Sequence, residues 1–412
     1  MKKLIDLGNL LSYFIEFIIR EKRLPQKLTE NYFFHFPGYV RRRFEQELKP
    51  VKSENTTFVY LPNLQQRYVY QLLHIFSLSF PQLIFICKQN NIKEYINLGY
   101  EGRRIFSIKN LKVVSTIPDI FQADVVVICD NNENNENDVS KFTAKKTQII
   151  IETDVSQKPK TESFMLPYGI HPYFLQNHEK FNTDISQLRL KNRSISIFFS
   201  GNTRFLGDKH LVERYYSVPS RERCIQFLTE NSTMLNICVI QKFKERKNFN
   251  DNPNKYKDYS LVLCTCKGLP EKWLNELSNA NFFLALPGGY MLMCHNAIEA
   301  MAVGTIPILS YEHWFFPPLI NGETCLTYKC LEEIPQVIAY ANKLKKNVIE
   351  KMREAVINYY DRYLSVLRVV DFLQKYEGSK LHLYINHEEA ETLRKVTDKS
   401  ILSCGGSLQA LP

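Results

Sequence analysis

The sequence predicts an α/β protein in which two Rossmann-like domains face a cleft and a set of helices follows at the C-terminus. Three observations support this fold class. The chain has 412 residues, which is more than one hydrophobic core usually serves. Apolar runs of strand length alternate with helical periodicity, first from about residue 56 and again from about residue 194. After residue 330 the apolar spacing becomes helical.

The first series of strands contains three strongly apolar runs, at Thr56–Tyr60, Leu83–Cys87 and Val125–Cys129, and shorter runs at Lys112–Ser115 and Gln148–Ile151. Helical spacing over residues 64–77 separates the first two runs. The third run consists of β-branched residues and one cysteine, which is typical of a strand that is covered on both faces. Strands of this kind that alternate with helices predict a parallel sheet.

The second series contains apolar runs at Ser196–Phe199, Leu235–Ile240, Asn281–Leu286 and Thr305–Leu309, again with helical segments between them. A second parallel sheet is therefore predicted. Between the two series, residues 164–193 contain prolines and a glycine and then a polar stretch, which indicates a domain boundary. The predicted divisions are an N-terminal domain over 1–170, a linker over 171–193, a C-terminal domain over 194–335, helices over 336–376 and a tail over 377–412.

Charge and cysteine content argue against several protein classes. The net charge of +10 suits nucleic acid, an anionic membrane surface or small molecules that carry phosphate. The sequence lacks zinc-finger spacing and a long basic tail, so we expect no nucleic-acid partner. The ten cysteines have irregular spacing, and several lie in apolar runs, as reduced thiols do. Cys264 and Cys266 have no matching second pair, so we predict no metal site.

Apolar residues recur at helical spacing near the N-terminus. Leu4, Leu7, Leu11, Phe14 and Ile18 form one face of a predicted amphipathic helix. This face either packs on the protein body or rests on a membrane surface. The segment is charged and too short to span a bilayer. We therefore expect a cytoplasmic protein, with association at the inner face of the cell membrane as an open alternative.

The segment Asn281–Leu309 carries the strongest functional signal. A buried strand leads into Pro287, Gly288 and Gly289, and a helix is predicted to begin near Tyr290. The glycines allow a tight turn and close approach of a ligand to the backbone. Free N–H groups at the start of the helix would face a ligand at the carboxyl edge of the sheet, which is where ligands bind in open α/β sheets.

Two polar residues of this predicted helix lie four positions apart, away from its core stripe. His295 is nearer the positive end of the helix, and Glu299 lies one turn further in. A carboxylate at that depth can accept hydrogen bonds from two ribose hydroxyls. The alternatives are a solvated helix carboxylate for Glu299 and a packing histidine for His295.

The sequence resembles the donor-binding half of GT-B glycosyltransferases, closest to the exostosin-like family. The resemblance lies in the order of its elements, which are a strand, a Pro–Gly turn, a helix that contains Glu299–Ala300, and then Gly304–Leu309. The run Phe198–Asn202 is similar to the strand and Gly–Asn turn that open the exostosin donor domain. The resemblance covers about residues 194–330. It implies a nucleotide-sugar donor, most often a UDP-sugar, as a substrate and no separate cofactor.

The resemblance also implies a role for individual residues. Glu299 would contact the donor ribose, Gly201 and Asn202 would lie at the interdomain cleft, and Arg204 would contact the pyrophosphate. The predicted donor-binding residues are Gly201, Asn202, Arg204, Arg223, Pro287, Gly288, Gly289, Tyr290, His295, Asn296 and Glu299.

The sequence departs from the family pattern in two ways. Many retaining GT-B enzymes have a second Glu eight residues before the ribose-binding one, where this chain has Met291. This favours an inverting reaction. Exostosin-like enzymes of animals carry a membrane helix, which the sequence does not show, so the resemblance indicates a bacterial relative that acts on surface polysaccharide such as capsule or lipopolysaccharide.

An inverting transferase needs a base for the acceptor hydroxyl, and in GT-B enzymes the N-terminal domain supplies it. Polar residues just past predicted strands or in loops are the candidates, although each is equally a turn-former. They are His35, Glu101, Asp130 and Asp154. Tyr168 and His171 lie at the predicted hinge, where both domains can meet a ligand.

The leading hypothesis is metal-independent transfer of a sugar from a nucleotide-sugar to a glycan or lipid-linked glycan. A nucleotide-sugar epimerase of the same fold is an alternative and would need carboxylates from both domains around the sugar. A protein that binds glycans or nucleotides without catalysis is the other alternative.

Overall fold

The protein is described here by a computed structural model. The structure describes residues 55–62, 64–87, 104–105, 108–114, 121–130, 142–156, 160–201, 211–289 and 291–386. Within these ranges the chain forms two parallel sheets, each surrounded by helices. In this part of the chain, no helix is both long enough and apolar enough to cross a membrane. The predicted N-terminal amphipathic helix lies outside the described residues.

The first sheet has seven strands in the order β3-β2-β1-β4-β5-β13-β6, and every pair of neighbours is parallel. Its central strands are buried along their length because apolar residues point to both faces. The strands are β1 (Thr56–Tyr60), β2 (Gln82–Ile86), β3 (Leu111–Val114), β4 (Phe121–Cys129), β5 (Phe142–Glu152), β6 (Ser163–Met165) and β13 (Lys380–Tyr384).

Strand β13 returns from the C-terminal end of the described chain and inserts between β5 and β6. The sequence predicted a tail from residue 377, whereas Lys380–Tyr384 is a strand with Leu381 and Leu383 fully buried. Five residues are too few to show a strand pattern by themselves. The strand forms because β5 and β6 offer hydrogen-bonding edges that are distant in sequence but adjacent in the fold.

The second sheet has six strands in the order β12-β11-β10-β7-β9-β8, again with every neighbouring pair parallel. Four of its strands are buried along almost their whole length. The strands are β7 (Ile195–Ser200), β8 (Ile237–Ile240), β9 (Leu261–Cys264), β10 (Ala280–Leu284), β11 (Ile306–Leu309) and β12 (Leu326–Thr327).

Helices cover both sheets and connect their strands. Helix α11 (Val366–Lys375) packs on α1 (Gln66–Ser79) of the first domain, where Gln374 donates to the Leu78 carbonyl. The Phe372 ring of α11 also packs on strand β6, with its centroid 4.9 Å from that of Phe164. The helices are α1 (Gln66–Ser79), α2 (Pro172–Gln176), α3 (His178–Arg189), α4 (Leu211–Tyr216), α5 (Arg221–Glu230), α6 (Phe243–Asp251), α7 (Pro270–Leu277), α8 (His295–Ala302), α9 (Ile334–Lys343), α10 (Lys346–Tyr359), a π turn (Tyr360–Leu364) and α11 (Val366–Lys375).

The strand orders create one switch point in each sheet, where successive connections leave in opposite directions. In the first sheet it lies between β1 and β4, and in the second between β7 and β10. Loops beyond the carboxyl ends of the two sheets meet, because Asn386 after β13 contacts Met293 after β10. The predicted α/β class with two Rossmann-like domains is confirmed, and both switch points are places where such sheets bind ligands.

Candidate functional site

The Pro–Gly–Gly segment forms a tight turn after β10. The Gly288 N–H donates to the Leu292 carbonyl at 2.9 Å. A Cβ atom at Gly288 would overlap the Met291 carbonyl oxygen, so only glycine fits there. The turn therefore keeps the backbone of Pro287–Gly289 at the carboxyl end of β10, beside the switch point of the second sheet.

Helix α8 begins at His295, not near residue 290 as the sequence predicted. The turn through Gly288 uses the intervening residues, and Cys294 has an extended backbone with φ −144° and ψ 152°. His295 and Asn296 therefore occupy the first turn of the helix, at its positive end. The Asn296 amide donates to the Ser200 carbonyl at 3.1 Å and thereby joins α8 to the end of β7.

Gly201 follows β7 directly. It lies at the carboxyl ends of β7 and β10, a region that we refer to as the crevice. A Cβ atom there would lie 3.3 Å from the Phe199 ring, 3.6 Å from Asn296 Nδ2 and 3.7 Å from Arg221 Nη1. Glycine thus keeps the space between an amide and a guanidinium open. Because both groups are hydrogen-bond donors, the crevice suits an acceptor such as a phosphate oxygen.

The two arginines at the start of α5 point in different directions. The Arg221 Nε group donates to the Pro287 carbonyl at 2.9 Å, so this guanidinium joins α5 to the Pro–Gly–Gly turn. Arg223, which the sequence placed at the donor site, lies on the exposed surface, with its guanidinium 3.6 Å from the Glu213 carboxylate. The structure therefore brings Arg221, and not Arg223, to the crevice.

Glu299 is fully buried and is not a solvated helix carboxylate. Its Oε1 atom accepts a hydrogen bond of 2.7 Å from the backbone N–H of His171, and its Oε2 atom accepts one of 2.5 Å from the indole of Trp273. Burial raises the pKa of Glu299 to about 8, against the opposing effect of these two donors. In this conformation Glu299 fastens the linker to the second domain, so a ribose would have to displace a protein donor to reach it.

His171 and His295 face each other across the domain boundary, with ring centroids 5.3 Å apart. Burial and the nearby Arg104 and Arg67 charges lower the pKa of His171 to about 4, and burial lowers the pKa of His295 well below its usual value. Both rings are therefore neutral near pH 7. The Nδ1 atom of His171 accepts from the Tyr173 N–H, so its proton lies on Nε2, which is a donor.

Arg67, in the first turn of α1, is a cleft residue that sequence reasoning missed. Its guanidinium donates to the Tyr168 hydroxyl at 2.5 Å and lies 5.1 Å from the centroid of that ring. Its charge adds to the effect of burial in lowering the pKa of His171 and of His295. Its position at the start of the helix after the first strand was the available signal.

Asp130 is the first residue after β4, at the switch point of the first sheet, and is half-buried. Its carboxyl group accepts hydrogen bonds from the backbone N–H of Thr153 at 3.0 Å and from the Thr153 hydroxyl at 3.1 Å. Burial, together with a hydrogen bond to the neighbouring Glu152, raises the pKa of Asp130. A carboxylate with a raised pKa is a stronger base.

Glu152 ends β5 and has partners on its other side. Lys160 Nζ lies 2.5 Å and His382 Nδ1 lies 2.6 Å from Glu152 Oε1. Burial opposes ionisation of Glu152, but these hydrogen bonds outweigh it and lower its pKa. The raised pKa of Asp130 and the lowered pKa of Glu152 make Asp130 the more basic of these two carboxylates.

Asp154, the other base candidate among the described residues, belongs to a local turn. The Asp154 carboxylate accepts from both the backbone N–H and the hydroxyl of Ser156, which is the arrangement of a local turn. In the described ranges, no three His, Cys, Asp or Glu side chains are close enough together to hold a metal ion. The predicted site residues that lie outside the described residues are His35, Glu101, Asn202, Arg204 and Tyr290.

Comparisons with known proteins give only low similarity. No family model matches the sequence, and no curated protein matches it. Among solved structures, the N-terminal domain of trehalose-6-phosphate phosphatase from Candida albicans has a TM-score of 0.40 and 9% identity, over 80% of this chain and 98% of that chain.

Anabaena HepE in complex with UDP also has a TM-score of 0.40 and 9% identity, over 77% and 98% of the two chains. A glycosyltransferase from Rickettsia africae has a TM-score of 0.34 and 12% identity, over 77% and 97%. This similarity is too low to assign the chain to a family.

Proposed function

We propose that the chain is a glycosyltransferase that transfers a sugar from a nucleotide-sugar to a glycan acceptor. The observation that carries the proposal is the set of nitrogen donors that both domains direct to the switch point of the second sheet. Arg221, His295 and Asn296 come from the second domain, and Arg67 and His171 come from the first domain and the linker. Such donors suit the diphosphate of the donor.

The leaving group of this reaction is a nucleoside diphosphate, whose charge increases as the bond to the sugar breaks. The Arg221 guanidinium, the first turn of α8 and the imidazole N–H groups would stabilise that charge within a partly buried crevice. We propose that these groups make transfer independent of a metal ion. UDP is the nucleotide that the exostosin-like resemblance of residues 194–330 favours.

Of the two base candidates that lie within the described residues, Asp130 and Asp154, the geometry favours Asp130. It follows the strand at the switch point of the first sheet, is half-buried, and has a hydrogen-bonded partner in Glu152. In the reaction, ionised Asp130 takes the acceptor hydroxyl proton while the acceptor oxygen forms a bond to the anomeric carbon. The bond from that carbon to the phosphate oxygen breaks, and its electron pair leaves with the diphosphate. This single displacement inverts the anomeric configuration.

The acceptor that fits these proposals is a growing surface polysaccharide of a bacterium, free or linked to a lipid. A screen for thermal stabilisation by UDP, GDP, CMP and ADP, followed by product analysis with the matching nucleotide-sugars, tests the function. We expect one nucleotide to raise the melting temperature and its sugar to appear on a glycan acceptor. Release of an epimerised nucleotide-sugar would instead indicate an epimerase, and binding without turnover would indicate a binding protein.

A further inference from the structure

A group of exposed lysines and apolar side chains lies on the second domain, just after the ends of β8 and β9. It comprises the start of α6 and the loop that leads into α7, and we refer to it as the basic–apolar surface. Its members are Lys242, Phe243, Lys244, Lys267, Leu269 and Lys272. All six are exposed. Because β8 ends just before α6 and β9 ends just before the loop, the surface lies at the carboxyl edge of the sheet, which is also the edge of the donor crevice.

A buried ion pair holds the two segments of this surface together. Arg246, one turn after Phe243, donates from Nε to Glu276 of α7 at 2.9 Å and also donates to the Cys266 carbonyl. Both charged side chains are almost fully buried. Gly268 packs directly on the Arg246 guanidinium. The ion pair therefore fixes α6, α7 and the loop between β9 and α7 relative to each other, so the segments that carry Phe243 and Leu269 form one rigid unit.

The two apolar members of the surface are both exposed to solvent. Phe243 is 58% exposed and Leu269 is 41% exposed, although each lies next to an ordered, well-packed segment. An apolar side chain in water is unfavourable by an amount that grows with its exposed area. Two such side chains on one rigid surface indicate that they are covered by a partner when the protein functions.

The charges around these side chains indicate which partner. Residues 242–247 and 267–272 together carry five lysines and two glutamates, apart from the paired Arg246. Of the two glutamates, Glu245 uses its carboxylate to accept from the backbone N–H groups of Gln241 and Lys242. The surface is therefore cationic, and its lysines flank both apolar side chains.

We propose that the basic–apolar surface binds an anionic lipid bilayer, with Phe243 and Leu269 inserted at the boundary between headgroups and acyl chains and the lysines against lipid phosphates. This combination of apolar insertion with lysine is what peripheral proteins use at anionic membranes. A nucleic acid would use the lysines but offers no apolar layer for Leu269. The proposal is independent of the donor site, and it would bring a lipid-linked acceptor to the edge of the cleft.

Co-sedimentation of the full chain with vesicles tests this proposal. The vesicles contain phosphatidylcholine alone or with phosphatidylglycerol. We expect binding to the phosphatidylglycerol vesicles, reduced at least about tenfold by Phe243→Ala combined with Leu269→Ala, and reduced to a similar extent by Lys242→Gln combined with Lys244→Gln. Added salt should weaken binding of the wild type.

Two matched controls remove similar groups at the opposite edge of the second sheet. Leu190→Ala removes a leucine that is 87% exposed, and Lys343→Gln combined with Lys345→Gln removes two exposed lysines. Neither control should change vesicle binding. Absence of binding to the anionic vesicles, or equal binding by the test and control variants, would overturn the proposal, as would an RNA competitor that displaces the protein independently of Phe243 and Leu269.

Thermal stabilisation by nucleotides, measured on the same variants, separates this proposal from the proposed function. The variants of the basic–apolar surface should respond to nucleotide as the wild type does, because none of their residues lies in the donor crevice. If no nucleotide binds any of the proteins, the transferase proposal fails while the vesicle result stands. If nucleotide binds normally but vesicles do not, the membrane proposal alone fails.

Discussion

The two sheets share a parallel architecture, but their switch points carry opposite chemistry. At the second sheet, between β7 and β10, the groups that meet are N–H donors and guanidinium groups, with Arg221 against the turn and Asn296 against the end of β7. At the first sheet, between β1 and β4, the Asp130 carboxyl group is hydrogen-bonded to that of Glu152. Under the proposed function, the two edges would divide the reaction, with anion binding at the second sheet and proton removal at the first.

The largest expected effect concerns the carboxylate edge. Asp130→Asn keeps the shape of the side chain but removes its ability to accept a proton, so we expect the rate of transfer to fall by about 10²- to 10⁴-fold. Nucleotide affinity should not change, because Asp130 is not one of the donors proposed to bind the diphosphate. Steady-state kinetics and calorimetry on the same preparation check both expectations.

The matched control for Asp130 is Asp154→Asn. Asp154 also follows a strand of the first sheet, but it is occupied by its own turn through Ser156. The Asp154→Asn variant should lose little transfer activity if Asp130 is the base. Equal losses in the two variants would mean that the edge has no specific base and acts only through its overall charge.

The next effect concerns the contact by which Glu299 joins the linker to the second domain. Glu299→Ala leaves two buried donors, the backbone N–H of His171 and the indole of Trp273, without an acceptor. Each such group costs about 1 to 3 kcal/mol, so we expect the free energy of unfolding to fall by about 2 to 6 kcal/mol. Chemical denaturation measures the loss.

The control is Glu350→Ala, which removes an exposed carboxylate from α10 and should change the free energy of unfolding by less than about 0.5 kcal/mol. A similar loss in both variants would contradict the anchoring role of Glu299. Because the variant is expected to be unstable, Glu299→Ala is a poor probe of nucleotide binding, although its position in the sequence suggests it as the first choice.

The pH dependence of stability gives a smaller and independent test of the same connection. The folded-state pKa of Glu299 is about 8, whereas its ordinary value is 4.5. Between these values the unfolded chain ionises Glu299 and the folded protein keeps it protonated, so ionisation favours unfolding as the pH rises. The contribution of Glu299 to the free energy of unfolding is fully present below about pH 4.5 and is lost by about pH 8. Between these values it falls by roughly 1.4 kcal/mol per pH unit.

Glu299→Gln removes this titration and is the reference. We expect the difference in unfolding free energy between wild type and Glu299→Gln to change by about 2 to 3 kcal/mol between about pH 5.5 and pH 7.5, in the direction that disfavours the wild type. Parallel stability curves for the two proteins would show that Glu299 titrates normally and is not held in a buried contact.

The sequence was informative about the second sheet for a physical reason. A strand such as β10 that is covered on both faces must be apolar along its length, and the Pro–Gly–Gly turn must have glycine where the backbone approaches itself. Both requirements are local in sequence. The start of α8 was not predictable, because residues 291–294 have helical composition, and only the Gly288–Leu292 hydrogen bond shows that the turn continues.

The cleft itself depends on contacts that are distant in sequence. Arg67 reaches Tyr168 across 101 positions, and His382 reaches Glu152 across 230. Nothing in the residues around Arg67 or His382 marks these partners. The burial of Glu299 has the same origin, since Trp273 and the linker enclose a helix position that periodicity alone places at the surface.

The central claim is that the switch point between β7 and β10 holds the diphosphate of a nucleotide-sugar, and the two arginines of α5 test it most directly. They lie two residues apart, and only Arg221 points to the crevice. The measurement is the affinity for UDP by calorimetry in wild type, Arg221→Ala and Arg223→Ala. We expect Arg221→Ala to weaken binding by about 10- to 100-fold and Arg223→Ala to leave it unchanged. Equal affinities for all three proteins, or a loss confined to Arg223→Ala, would contradict the claim.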